Sequence, residues 1–435
     1  MIYQRHTAKI GMYRVRKSSF SNKTVDPGVE VKVLLIWVCG ACFSYVILPH
    51  LVEISSVTIL GFRLVYYIPL LVPIFTLPLM TLKGRFLISG SVTFMLFSIQ
   101  AGLGIISSLI GEDPVTSIVF TISFYLSVLL IMVLVARVPT KAMDSFLTLA
   151  AIILIVAVAI SIIIAKWRGY AGLPRYGFEI DINPNWIGLF LTVAIVIVAC
   201  SNMNLFYKSI TLIGGLLLLS FTGSRAAVFS SALTLTIREG THLLSKLSRK
   251  LAISFVPICF LGFAIATFTM SDFINRWLFQ IADVVIDLSH KTLGIKISES
   301  FRYEPAQIEM GLIDREGIII SLLESYTPSF FGFGPRGTNI VLGNVLSKIS
   351  HNSYISILYD YGIGGFVIIM WIILRSLFLI ARRDIEIKKK LGIEGAVILC
   401  VGTFAAFHDV LTSFLSPSGI LFWVSVCSIP NMRRI

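Results

Sequence analysis

Charge is the scarcest component of this sequence. Asp, Glu, Lys and Arg make up 14% of its 435 residues, against 56% hydrophobic residues and a mean hydropathy of +0.89. An ordinary soluble domain carries roughly 25% charge, so a chain this apolar cannot stay dissolved in water. Soluble enzymes, nucleic-acid binders and disordered scaffolds are thereby excluded. Cysteine is sparse and badly placed for cross-links: Cys39, Cys42, Cys200, Cys259, Cys400 and Cys427 all fall inside apolar runs, which excludes a disulfide framework and a zinc site. There is no P-loop, no HExxH, no DxD pair and no cluster with metal-ligand spacing. No cleavable signal peptide is evident, because the first 30 or so residues are polar and basic and the first apolar run begins near Val33. Carboxylates at mid-membrane depth are nearly missing. Arg375 and Glu394 are the candidate charges there, which argues against a proton- or sodium-coupled transporter.

What is present is a series of continuous apolar runs, each about the length that a spanning helix requires. A transmembrane β-barrel would need short alternating segments instead. Lipid offers the backbone no hydrogen-bond partners, so the spans are expected to be helical. The expected fold is an all-α polytopic transmembrane helical bundle of about twelve spans. They lie near 32–48, 57–81, 86–110, 115–138, 145–165, 186–203, 210–224, 225–237, 251–268, 354–380, 391–412 and 415–430. The resulting organisation is a basic tail (1–31), spans one to nine (32–268), a long partly helical loop (269–350), spans ten to twelve (351–430) and a short tail (431–435). Placing the amino terminus in the cytoplasm puts 23 of the 36 Lys and Arg residues on inner segments, as the positive-inside rule requires. Both termini are therefore expected inside. The basic charge is read as a topology signal and a contact with anionic lipid.

Topology gives no reason for the arginines of the outer side. Four polar features gather there: Lys166 through Pro174-Arg175-Tyr176 to Asn183-Pro184-Asn185; Thr222-Gly223-Ser224-Arg225; the long loop with Arg302 and Gly332-Phe333-Gly334-Pro335-Arg336-Gly337; and Ser350-His351-Asn352-Ser353-Tyr354. Arg225 abuts an apolar helix and must find an anion or snorkel to the headgroups. A guanidinium binds phosphate oxygens through paired donors, and the small neighbours Gly223, Ser224, Ala226 and Ala227 leave room for a ligand. His351 can take a proton from a hydroxyl near neutral pH, and Asn352 beside it can orient a sugar hydroxyl. His408 and Asp409 form a second, weaker pair at another outer helix end. In the long loop, Ile274, Trp277, Leu278, Ile281, Val285 and Leu288 recur at helical spacing, and a packing role suits that stripe. Gly332, Gly334 and Gly337 follow no strand, so they mark tight turns rather than a dinucleotide fingerprint. Seven basic and nine acidic residues leave the loop nearly neutral.

The order of these elements resembles the O-antigen ligase and O-antigen polymerase superfamily of bacterial envelope glycosyltransferases. The elements are Gly223-Ser224-Arg225-Ala226-Ala227, the outer loop with an internal arginine and a Gly-x-Gly-Pro turn, then His351-Asn352-Ser353-Tyr354 leading to Tyr361-Gly362-Ile363-Gly364-Gly365. Asn183-Pro184-Asn185 opening the sixth span is similar too. The resemblance covers about residues 170–380, and the amino-terminal 160 residues match only in topology. It implies a metal-independent, cofactor-free, inverting transfer at the periplasmic face of the bacterial inner membrane. The donor would be a glycan on undecaprenyl diphosphate, and the acceptor a second glycan or the lipid A core. The family's arginines map onto Arg225 and Arg302, and its histidine onto His351. Arg175, Arg336, Asn185, Asn352 and Tyr354 are the further substrate-binding candidates.

Ligase and polymerase share these motifs. The near-neutral loop favours a polymerase, since a ligase must meet a phosphate-rich lipid A core. A flippase or exporter of lipid-linked glycans would need a hydrophilic path that the spans do not display. A metal-using lipid-linked glycosyltransferase would need an acidic catalytic residue in its first outer loop, where Glu53 is the sole carboxylate.

Overall fold

The computed structural model describes residues 28–51, 58–59, 62–82, 91–111, 113–167, 184–222, 224–269, 329–335, 352–386, 390–406, 410–411 and 413–428. Outside them lie Glu53, Arg175, Arg302, Arg336, His351, His408, Asp409 and the stripe from Ile274 to Leu288. Of Arg225 the backbone is described and the side chain is not.

Helices dominate. α1 (Gly28–Cys42) passes through a π-helical turn, Phe43–Ile47, into α2 (Leu48–Leu51). A hairpin of two residues per strand follows, β1 (Thr58–Ile59) against β2 (Phe62–Arg63), with Thr58 opposite Arg63 and Ile59 opposite Phe62. A 3-10 stretch, Leu64–Leu70, leads into α3 (Leu71–Leu82). Then come α4 (Ser91–Ile110), α5 (Pro114–Val135), α6 (Thr140–Trp167), α7 (Pro184–Cys200) and α8 (Leu205–Thr222). The remainder are α9 (Arg225–Leu247), α10 (Arg249–Thr269), α11 (Ser353–Glu386), α12 (Ile393–Phe404) and α13 (Pro417–Cys427).

Local chemistry sets several starts. Asp113 caps α5 by accepting from the Thr116 N–H at 3.2 Å, and Pro114 takes the first helical position, where its missing N–H costs nothing. Ser416 and Pro417 repeat the arrangement at α13, with Ser416 Oγ accepting from Gly419 N–H at 3.0 Å. Five helical segments are long and apolar enough to cross a membrane: Gly28–Ile47, Val92–Ile110, Pro114–Val135, Thr140–Ile164 and Ser353–Ile385. Tyr67–Thr81, Asn185–Cys200, Leu205–Leu219, Ile393–Phe404 and Pro417–Cys427 are apolar but shorter. The core is centred on α7, apolar on every side and packed among α6, α8, α9 and α12.

Three expectations about spans need correction. The run expected at 225–237 is the first part of a helix of 23 residues, α9. The run expected as one span at 354–380 is broken at Gly362, whose φ of 68° and ψ of −175° are not helical. The runs 391–412 and 415–430 hold helices of only 12 and 11 residues. Between them, Val410, Leu411, Phe414 and Leu415 are buried but not helical. Hydropathy registers burial rather than helix, and Ser416-Pro417 begins a new helix instead of continuing the old one.

Charge is segregated. Of the twelve Lys and Arg side chains among the described residues, eleven lie at one end of the bundle, and Arg375 is the twelfth. At this basic end Lys208 Nζ donates to the Ser201 carbonyl at 2.9 Å and Arg238 Nε to the Leu391 carbonyl at 3.1 Å. Lys390 Nζ meets Glu239 Oε2 at 2.6 Å, and this bond holds the Glu239 carboxyl below the usual carboxylate range. Arg383 bridges Asp384 at 2.5 Å and Glu394 at 3.3 Å, while Gly392 N–H donates to Asp384 Oδ2 at 2.7 Å. That cluster staples the end of α11 to the start of α12.

Candidate functional site

The basic end supplies a reference from which heights along the helices can be counted. From Gly392 to Gly402, α12 rises about 15 Å, and from Asp384 back to Gly362, α11 rises about 33 Å, at 1.5 Å per residue. The Tyr354 hydroxyl donates to the Gly402 carbonyl at 2.7 Å, and Ser353 N–H donates to the Ala405 carbonyl at 2.8 Å. The start of α11 is therefore far lower in the bundle than Gly362. The short helical segment 353–361 climbs away from the basic end, the chain reverses at Gly362, and 363–386 runs back down.

Other elements stop at the same height. From Arg238 to Arg225, α9 rises about 20 Å, and from Lys208 to Thr222, α8 rises about 21 Å. Ser376 Oγ, about 12 Å above Asp384, donates to the Val426 carbonyl at 3.3 Å, so α13 begins about 25 Å up, somewhat above the others. By this count the N-termini of α9 and α11 and the carboxyl ends of α8 and α12 lie at similar heights inside the bundle, with the N-terminus of α13 above them; this level is the shelf. Helix N-termini carry partial positive charge and unpaired N–H groups that suit an anion, while the carboxyl ends of α8 and α12 at this level carry the opposite charge.

Each shelf element is held by specific contacts. Thr222 Oγ1 accepts from Ser224 N–H at 3.2 Å, which shapes the turn into α9. Ser224 is buried, and its hydroxyl meets no hydrogen-bonding protein atom among the described residues. Gly188 on α7 makes this possible, since a Cβ there would lie 2.5 Å from Ser224 Cβ. Thr192 Oγ1 donates to the Ala227 carbonyl at 3.0 Å and pins α7 to α9. Asn352 caps α11, with Oδ1 accepting from Tyr354 N–H at 2.9 Å and Ile355 N–H at 3.3 Å. Ser353 Oγ accepts from Val410 N–H at 2.7 Å and Leu411 N–H at 3.2 Å, which ties the stretch between α12 and α13 to the same point.

Above the shelf, residues 329–335 dock onto the break in α11. Phe333 N–H donates to the Tyr359 carbonyl at 2.8 Å, Gly334 N–H to the Asp360 carbonyl at 3.0 Å and Ile363 N–H to the Ser329 carbonyl at 3.0 Å. Ser107 on α4 donates to the Asp360 carbonyl at 2.6 Å and accepts from Gly334 N–H at 3.0 Å. Ser117 on α5 donates to the Pro335 carbonyl at 2.8 Å. Gly334 has φ of 86°, so the tight-turn reading of this Gly-x-Gly-Pro segment holds at that residue.

Of the candidates named from the sequence, Asn185 is half-buried in the first turn of α7, one turn from the Gly188–Ser224 contact. The Arg225 backbone opens α9. Asn352 is a buried cap. Tyr354 is fully buried, with its ring 6.4 Å from Phe260 and its hydroxyl given to Gly402, so its contacts are those of a packing residue. Arg175, Arg302, Arg336 and His351 lie outside the described residues; His351 directly precedes Asn352 in the chain, and Arg336 directly follows Pro335. Sequence reasoning named Ser224 and Ser353 only as neighbours of Arg225 and His351, without a role of their own, and missed Ser416. The available signal was their position before or at a helix start, where serine is favoured.

The capping role of Asn352 has a direct consequence. Asn352→Ala should lower stability by about 1–2 kcal/mol through loss of the cap. Asn352→Ser, which keeps an acceptor there, should stay within about 0.5 kcal/mol of the parent. Thermal melts of the solubilised protein check both. Comparison with protein-family models, with curated proteins and with solved structures found no match to this chain.

Proposed function

We propose that this chain is a twelve-span glycosyltransferase of the bacterial inner membrane with both termini in the cytoplasm. It moves a glycan from undecaprenyl diphosphate to an acceptor sugar hydroxyl at the periplasmic face, acting as a polymerase of O-antigen or exopolysaccharide. The observation that carries this reading is the shelf. The Ser224-Arg225 turn and the Asn352 cap, 127 residues apart in sequence, stop at one height beside helix N-termini suited to a diphosphate. The basic end fits the cytoplasmic side.

In this scheme Arg225 and Arg302 hold the diphosphate, which is already a good leaving group and needs only neutralisation of the charge it develops. The acceptor oxygen attacks the anomeric carbon from the face opposite the diphosphate, so the configuration inverts. His351 takes the hydroxyl proton as the new C–O bond forms, and the bond from anomeric carbon to phosphate oxygen breaks. Arg175, Arg336, Asn185 and Asn352 are the further contacts proposed for sugar and phosphate.

A second reading has its own support. Broken and half-length helices that meet inside a bundle are a device of transporters, and α11, α12 and α13 have that character. A flippase of lipid-linked glycans would use the same shelf without chemistry. The test is purified protein in lipid with an undecaprenyl-diphosphate repeat unit, a chelator and no lipid A, with products sized by gel. A ladder of longer lipid-linked glycans is the expected result. No ladder, followed by transfer once lipid A core is added, identifies the ligase. No transfer in either case, with movement of a fluorescent lipid-linked glycan between leaflets, identifies the flippase.

A further inference from the structure

The basic end carries a projection. α9 does not stop at the level of Arg238 but continues for nine residues to Leu247, about 14 Å further, and α10 returns beside it. Ser248 makes the reversal tight: its N–H donates to the Leu244 carbonyl at 2.8 Å, and its carbonyl accepts from Ala252 N–H at 3.1 Å. Leu244 and the buried Ala252 pack inwards, and a Cβ on Gly240 would lie 3.4 Å from the Phe255 ring, so the two arms touch. What the tip turns outwards is apolar. Leu243 and Leu247, one turn apart on α9, are 61% and 83% exposed, and Leu251 at the start of α10 is 62% exposed. Lys246, Arg249 and Lys250 alternate with them along the chain, are exposed, and form no ion pair among the described residues.

Lipid does not reach this tip. At the far end of the bundle Leu109 and Ile110 are exposed, just beyond Ser107, whose hydroxyl is bonded to Asp360 beside the break in α11. They stand about 35 Å above Asp384. The hydrocarbon layer is about 30 Å thick, so a layer that covers them ends near the basic end. Phe206 and Tyr207, exposed at the start of α8 beside Lys208, mark that boundary, where aromatic residues gather. The headgroup layer beyond it is only roughly 5–8 Å deep, and Leu247 lies about 14 Å past Arg238. The charge of the tip excludes two other covers. A second copy would set the same three cations against themselves, and the stretch 1–27 of the chain holds six Lys and Arg against one Asp.

We propose that the α9–α10 tip docks a cytoplasmic protein through an amphipathic helix of that partner, whose apolar stripe is edged by Asp and Glu. Leucines one turn apart on a short, tightly turned hairpin match such a stripe, and the cations beside them meet its acidic edges. Arg225 begins the same helix 22 residues, or about 33 Å, away, so a partner at the tip grips α9 and leaves the shelf uncovered. The proposal rests on the cytoplasmic placement of the basic end and not on glycosyl transfer.

Photo-crosslinking tests it on the full-length protein in inside-out membrane vesicles, incubated with cytosol of the same cells. The benzophenone amino acid p-benzoylphenylalanine replaces Leu247 in one variant and Ile258, exposed further along α10, in the control. Position 258 should give phospholipid adducts. Position 247 should give a protein adduct whose cross-linked peptide, read by mass spectrometry, has apolar residues at helical spacing flanked by Asp and Glu. Its yield should fall about tenfold or more when Lys246→Glu, Arg249→Glu and Lys250→Glu are combined. The same fall is expected with the native charges in ~1 M salt, where the Debye length is ~3 Å, and this measurement decides should the triple variant not fold. Phospholipid adducts at 247, adducts with a second copy, no adduct, or a protein adduct indifferent to charge and salt would each overturn the proposal. A membrane-impermeant maleimide should label Leu247→Cys above the parent in the same vesicles. Absence of that label would overturn the placement and the docking together, whereas label without adduct overturns the docking alone.

Discussion

Gly362→Ala is expected to destabilise the folded protein by about 2–6 kcal/mol and to lower its melting temperature well below that of its parent. At φ of 68° and ψ of −175° this residue sits in a region open essentially to glycine alone, and a side chain there costs of order 1–3 kcal/mol. Overlap adds to the strain. A Cβ would lie 2.5 Å from the Phe330 carbonyl oxygen, 2.6 Å from the Phe331 carbonyl carbon and 2.7 Å from the Gly332 nitrogen. All three are backbone atoms, and they cannot withdraw. Gly364 N–H is bonded to the Phe330 carbonyl at 3.2 Å and Ile363 N–H to the Ser329 carbonyl at 3.0 Å, while Ser107 and Ser117 hold the next residues from the other side. Overpacking of this kind costs about 1–3 kcal/mol more, so the total is about 2–6 kcal/mol against a stability of about 5–15. The matched controls are Gly102→Ala in α4 and Gly262→Ala in α10, where an added Cβ meets nothing within 4 Å. These should shift stability by no more than about 1 kcal/mol, in the stabilising direction. Size-exclusion profiles and melting curves of the three variants check the set. A Gly362→Ala protein that melts with its parent would mean that the break in α11 is not fixed by the docked segment.

That break also marks where the sequence stopped being legible. Apolar runs separated by polar punctuation located most helices to within a few residues, because a spanning helix must be continuously apolar and its ends must not be. The turn at Thr222–Arg225, the proline-led starts of α7 and α13 and the segregation of basic residues all follow from that rule. The rule fails where burial comes from protein instead of lipid. Val410, Leu411, Phe414 and Leu415 are as apolar as any spanning residue, yet they form the joint between two short helices and are covered by neighbouring elements. Tyr361-Gly362-Ile363 reads as the middle of one long helix, because a reversal needs only a single glycine and leaves the hydropathy unchanged. A motif search places Asn352 and Ser224 near a surface, since each adjoins polar sequence. The height of Asn352 is set by hydrogen bonds of Ser353 and Tyr354 to Gly402, Ala405 and Val410, about 50 residues further on, and that of Ser224 by the packing of α9 on α7 through Thr192 and Gly188. No local pattern encodes such pairings.

The height of the shelf sharpens what alanine at the proposed catalytic positions should do. Arg225→Ala, Arg302→Ala and His351→Ala are each expected to lower transfer by about 10²–10³-fold, the usual cost of removing one preorganised group that stabilises developing charge. Arg225 carries an internal control. It is the first residue of α9, where the helix macrodipole is positive, and a cation there opposes the helix by about 0.3–1 kcal/mol. Removing it should therefore leave the fold as stable as before or slightly more stable, while activity collapses. An arginine kept only to anchor the helix end at the headgroups would behave in the opposite way, with turnover retained and melting temperature lowered. Arg225→Lys separates charge from geometry, because an ammonium keeps the charge but cannot present two parallel donors to a phosphate. It should recover part of the activity and none of the paired contact. Initial rates of lipid-linked glycan extension, measured beside melting curves for the same preparations, distinguish these outcomes. Near-parental turnover in all three alanine variants would remove the diphosphate clamp and the base together, and the shelf would then be better explained as a conduit for the lipid-linked glycan than as a place where its bond is broken.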